Sequence, residues 1–104
     1  MKRNAFIMKL KKGFEAEYKK RHDEIWPELE KEISKAGISD YSIYLDEKTL
    51  TLFAFQKLTD DNTADELPST PIVRKWWDYM ADIMETDPDN APVATGLREV
   101  FHMD

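Results

Sequence analysis

The chain has 104 residues, with 15 Lys and Arg against 21 Asp and Glu and a formal charge of −6 at pH 7. That length suits one compact domain over residues 1–104 with a modest core, and the 41% apolar content with three Trp, four Tyr and five Phe excludes a disordered chain. The acidic balance disfavours nucleic acid, the absence of cysteine excludes disulfides and thiol chemistry, and no apolar run reaches the ~20 residues of a membrane span.

The opening residues Met1 to Phe6 lack the apolar run of a signal peptide, so a soluble intracellular protein is expected. Asn4 to Leu10 is short, apolar and bounded by Lys11-Lys12-Gly13, which predicts a first strand and a turn at Gly13. A long helix is predicted from Phe14 to Lys35, closed by Ala36-Gly37. Phe14, Tyr18, His22, Ile25, Trp26, Leu29 and Ile33 form its inward stripe. Pro27 disfavours helical geometry at Trp26, so a kink is expected there, opening space beside His22.

Ile38 to Asp46 alternates as a half-buried strand, Glu47-Lys48 reads as a tight turn, and Thr49 to Leu58 reads as a third strand apolar on both faces. Thr59 to Pro71 is polar and proline-interrupted. A second helix is predicted over Ile72 to Met84, with Ile72, Trp76, Tyr79, Met80 and Ile83 on one stripe and Trp77 beside it. Glu85 to Gly96 reads as an irregular loop able to cover something, and Leu97 to Met103 alternates as a last strand.

Strand, helix, strand, strand, helix, strand is the order of an α+β, ferredoxin-like split β-α-β sandwich with a four-stranded antiparallel sheet. Two helices cover one sheet face only. Phe6-Ile7-Met8 and Leu52 to Phe55 send apolar side chains to both faces, so a homodimer through the sheet face is expected.

His22 is the histidine on an inward stripe, and imidazole is readily tuned to move protons near neutral pH. By itself a lone histidine is more often a buried ring bonded to a neighbour. Tyr18 one turn earlier, Tyr41 on the adjoining strand and the Trp76-Trp77 pair favour a site. Tyr41 and Tyr44 should point to opposite faces, and His102 reads as a surface or interface residue. Two distant histidines without cysteine give no metal cluster. No glycine-rich phosphate loop or nucleophile motif is present, which leaves cofactor-free proton transfer or binding.

Tyr18, Arg21-His22, Ile25 to Leu29, Tyr41 to Asp46, Trp76-Trp77 and Asp87 to Asn90 together make the chain resemble the L-rhamnose mutarotase family nearly end to end. The resemblance implies a dimeric α/β barrel, interconversion of the α and β anomers of L-rhamnose in rhamnose catabolism, a cytoplasmic location and no cofactor. By position it implies His22 as proton donor, with Tyr18, Tyr41, Trp76 and Trp77 binding the sugar. Asp60 to Pro71 departs most from the family pattern, with Pro68 and Pro71 placed to reshape the pocket edge. Two other readings remain open on the same fold class: a cofactor-free monooxygenase or small haem-degrading protein, and a non-catalytic sugar-binding module.

Overall fold

A computed structural model describes residues 1–104. Its elements are β1 (Lys2–Lys9), α1 (Glu15–Asp23), α2 (Pro27–Lys35), β2 (Ile38–Asp46), β3 (Thr51–Leu58), α3 (Pro71–Met80) and β4 (Thr95–Leu97), with a 3-10 turn over Ala64–Ser69. The strands lie in the order β2-β3-β1-β4, every neighbouring pair antiparallel. This is the ferredoxin-like arrangement.

Alternation along the strands decides which side chains the helices cover. Phe6 and Met8 pair with Ala54 and Leu52, which also pair with Ile43 and Leu45, and these six sit in or against the buried core. Leu10, Leu52, Met80 and Ile83 are its fully buried centre, each contributing on the order of 1.5–3 kcal/mol by leaving water.

One bulge changes the parity of β2. Ser39 pairs with Lys57 and Ser42 with Phe55, so Asp40 and Tyr41 together stand opposite Gln56. Asp40 takes the left-handed conformation, φ 47°, which a short polar side chain tolerates better than most. The extra residue lets even-numbered Ile38 and odd-numbered Tyr41, Ile43 and Leu45 share the helix-covered face.

The long helix expected from Phe14 to Lys35 is two helices. Trp26 is extended (φ −63°, ψ 128°) and Pro27 opens α2. The proline ring forces the residue before it out of helical geometry, and its missing N–H costs nothing at a helix start. The break therefore exceeds a kink. Gly37 ends α2 in the left-handed region, φ 90°.

Three further boundaries differ from expectation. The turn between β2 and β3 spans Glu47 to Leu50, with Leu50 at φ 60°. Helix α3 stops at Met80, because Ile83 and Met84 leave it to join the sheet edge: Lys11 N–H donates to the Ile83 carbonyl at 2.9 Å and Leu10 bridges Met84. The last strand covers only Thr95–Leu97, against Ala5, Phe6 and Ile7. Beyond it Arg98 to Asp104 leaves the ladder although β1 continues to Lys2, and an Arg3–Glu99 ion pair at 2.8 Å links the two segments. Val100, Phe101 and Met103 stay exposed.

The uncovered sheet face carries Ile7, Phe53, Phe55, Tyr44 and Leu97. Tyr44 and Phe55 meet edge to face at 5.9 Å there, 64% and 44% exposed.

Candidate active site

Between the helices and the sheet lies a cleft of about 1380 Å³, lined in part by Tyr18, His22, Tyr41, Gln56, Trp76 and Trp77. All five residues singled out from the sequence reach it. Its rim includes Leu67 and Pro68, but Pro71 is not in its wall; Pro92 and Ala94 add the loop after α3. That loop is tied down by Arg74 to Asp89 at 3.1 Å and by Asn90 donating to Asp78 at 3.0 Å.

His22 occupies the last turn of α1. Its Nδ1 lies 3.0 Å from the Tyr18 carbonyl; a carbonyl only accepts, so Nδ1 carries the proton and Nε2 presents a lone pair. The Tyr18 ring stacks on the imidazole at 4.2 Å, and Trp76 meets it edge-on at 5.4 Å. These contacts desolvate it. Burial lowers the His22 pKa below 6.5, outweighing the opposing effects of the Tyr18 carbonyl and Asp23.

Aromatic packing extends outward from that ring. Trp26, placed by the extended residue before Pro27, meets Trp76 edge-on at 5.0 Å and stacks on Tyr79 at 5.5 Å. Arg21 lies over Tyr79 at 4.3 Å, and its Nη1 donates to the Tyr79 carbonyl at 2.8 Å and to Asp82 at 2.9 Å, while Nε donates to Glu17 at 2.7 Å. A single guanidinium thus joins α1 to the end of α3. Its bond to Asp82 raises the Arg21 pKa and lowers that of Asp82.

The two adjacent tryptophans divide as helical spacing predicts. Trp76 is buried, whereas Trp77 is half-buried with Arg74 over its ring at 5.1 Å. Both reach the cleft.

Two phenols line this space. Tyr18 is buried, and desolvation followed by the nearness of Tyr41 raises its pKa. Tyr41 is 38% exposed as a whole residue, yet desolvation pushes its phenol up to about 12, with the neighbouring Gln56 amide acting in the opposite sense. The two facts agree, since whole-residue exposure includes the open cleft whereas ionisation senses the protein packed around the oxygen. Tyr44 points to the other sheet face, and His102 lies away from the cleft, bonded to Asp104 at 2.8 Å.

Sequence reasoning missed Gln56 and Val73. Gln56 was legible as the polar residue on the inward side of β3 among Leu52, Ala54 and Leu58. Val73 lies one position from Ile72, and the 100° step between neighbours makes it the more buried of the two.

A stacked, desolvated imidazole with one free nitrogen, phenols nearby and an aromatic wall can move protons on a small polyol with an apolar face. The model of the family described as L-rhamnose mutarotase matches residues 3–103. The chain belongs to the L-rhamnose mutarotase family. The L-rhamnose mutarotase of Bacteroides thetaiotaomicron is 62% identical over 104 residues, covering 100% of both chains. That of Flavobacterium johnsoniae is 59% identical over 98% of this chain and 95% of its own. The crystal structure of the L-rhamnose mutarotase from Formosa agariphila superposes with a TM-score of 0.93 at 53% identity, covering 100% of both chains. The full-length match to L-rhamnose mutarotases makes the fold and the family common to all of them.

Proposed function

We propose that this protein interconverts the α and β anomers of L-rhamnose by opening and reclosing the sugar ring, an isomerase reaction that uses the chain's own side chains. The observation that carries the reading is the free Nε2 of His22 in a cleft walled by Tyr18, Tyr41 and Trp76, in a chain whose full-length relatives are named L-rhamnose mutarotase.

Opening the ring requires loss of the anomeric hydroxyl proton and protonation of the ring oxygen. Neutral His22 accepts the hydroxyl proton at Nε2. The anomeric C–O bond to the ring then breaks with its electrons going to the ring oxygen, which takes the proton from the imidazolium. Both oxygens share one carbon, so one nitrogen serves both. Rotation of the aldehyde and reversal of these steps close the other anomer. His22 is in this sense the proton donor, delivering a proton it has first removed. Acid–base assistance of about 10²–10⁴-fold suffices for a reaction already proceeding in water. Tyr18 and Tyr41 hold sugar hydroxyls, while Trp76 and Trp77 cover the apolar face and methyl group.

The same proposal includes a homodimer through the sheet face and a cytoplasmic location. Phe55, Tyr44 and Leu97 are exposed on the uncovered sheet face, with Phe101 beside Phe55 and Leu97, which supports the dimer. No helix is long and apolar enough to cross a membrane.

Saturation-transfer NMR on L-rhamnose tests the reaction. The protein is expected to accelerate anomer exchange, and His22→Ala to abolish the acceleration. Exchange by the variant at the parent rate would remove His22 from the chemistry.

A further inference from the structure

Trp26 sits at the break between α1 and α2, and neither the proton transfers nor the sugar contacts above use it. Its backbone is fixed from two directions. Pro27 holds it extended, and its carbonyl accepts from the N–H groups of Leu29 at 3.0 Å and Glu30 at 3.1 Å at the start of α2. The indole packs against the buried core but stays out of the cleft, whose wall includes Ile25, Leu29 and Trp76.

Trp76 reaches the cleft and meets His22 edge-on at 5.4 Å. Outside the cleft, Trp26 meets the same indole edge-on at 5.0 Å, and Tyr79 lies against it at 5.7 Å, tilted by 60°. Tyr79 is itself anchored, since Trp26 stacks on it at 5.5 Å, Arg21 lies over its ring at 4.3 Å, and Arg21 donates to its carbonyl at 2.8 Å. Trp26, Trp76 and Tyr79 therefore form a closed triangle of rings, each packed on the other two. No ring in such a triangle turns without displacing a neighbour, whereas loss of one leaves the others room to move. We propose that Trp26 is a positioning residue, which stands behind Trp76 and fixes the indole where it meets His22 and walls the apolar face of the bound sugar. The proposal rests on the mutarotase reading for the identity of that sugar, but not for the placement of Trp76 against His22.

Two readouts separate this role from mere support of the fold. The first is the dependence of anomer exchange on L-rhamnose concentration. A variant that is only less stable loses active protein, so its apparent kcat falls and its KM is unchanged. A displaced Trp76 alters the wall that the sugar touches, so Trp26→Leu is expected to raise KM by about two- to tenfold, the range that one aromatic pair represents. Trp26→Phe keeps a ring against Trp76 and should restore most of the loss. The second readout needs no sugar. The chain has two histidines, His22 and His102, and Trp26 makes no ring contact with either. At a pH well above 6.5, where His22 is neutral, its imidazole Cε1–H resonance is expected to shift in Trp26→Leu because Trp76 has moved, while that of His102 stays in place. Tyr79→Leu, at a 43% exposed position, removes a different ring of the triangle and should move both readouts in the same direction by less.

A parental KM in Trp26→Leu, or an unmoved His22 resonance in that variant, overturns the proposal. If the unchanged protein fails to accelerate anomer exchange while the His22 resonance still shifts, the sugar assignment falls and the placement of Trp76 by Trp26 stands.

Discussion

His22 donates through Nδ1 to the main-chain carbonyl of Tyr18, one helical turn earlier on α1, at 3.0 Å. The imidazole is thus oriented by its own helix, and the opposite nitrogen is left for substrate. Stacking by Tyr18 and the edge of Trp76 then set its acidity.

That geometry predicts a pH dependence. Burial lowers the folded-state pKa of His22 from 6.5. Below pH 6.5 the unfolded chain binds a proton that the native imidazole resists, so this contribution to stability is full above 6.5, erodes as pH falls, and levels off below the folded pKa. Catalysis should follow the same ionisation. Anomer exchange is expected to lose rate on the acid side with a midpoint below 6.5, and His22→Gln should show no acceleration at any pH. A midpoint above the ordinary histidine value would contradict the desolvated ring.

Arg21 should matter more to stability than most charged residues. Its side chain is 10% exposed and donates to Glu17, Asp82 and the Tyr79 carbonyl, a fork that lysine cannot reproduce. Arg21→Lys is expected to lower stability by about 1–3 kcal/mol in urea denaturation. Asp82, held below its ordinary 3.8 by Arg21, adds stability that is present above that value and lost as pH falls through its lowered pKa. The acid midpoint of Arg21→Lys should therefore move to higher pH.

Gly37→Ala tests the junction between α2 and β2. A β-carbon there would collide with the Thr59 hydroxyl and come within 3.0 Å of Asn62 Cβ, at a backbone φ of 90° that L-residues avoid. Destabilisation of about 1–3 kcal/mol is expected, with the cleft-lining side chains unmoved. An alanine variant as stable as the parent would show that the turn can relax.

The uncovered sheet face makes its own prediction. Phe55→Lys places a charge at the middle of the proposed contact between two protomers, beside Tyr44. Sedimentation at micromolar protein should give a dimer for the unchanged chain and a monomer for the variant. Identical sedimentation of the two would exclude this face as the contact.

The element order and the helix-covered face were legible because strand alternation and helical stripes are local patterns. Gln56 escaped notice because a single polar residue within an apolar stretch reads as tolerated rather than used until its partner Asn4 and the cleft beside it are seen. The last strand was overextended for a related reason. Leu97, Glu99, Phe101 and Met103 alternate as a strand does, but the ladder ends at the Ala5–Leu97 pair although β1 continues to Lys2, so alternation by itself did not fix where pairing stops.

Sequence alone determined the split β-α-β order, the inward placement of Tyr18 and His22, and the resemblance to rhamnose mutarotases, since all three follow from residue spacing and identity. Only tertiary structure decided that Pro27 divides one helix into two, that a bulge at Asp40 and Tyr41 turns a phenol toward Gln56, and which nitrogen of His22 is free. The reason is that each of these depends on how backbone hydrogen bonds and side-chain contacts between distant segments are satisfied together, and no local pattern in the chain carries that information.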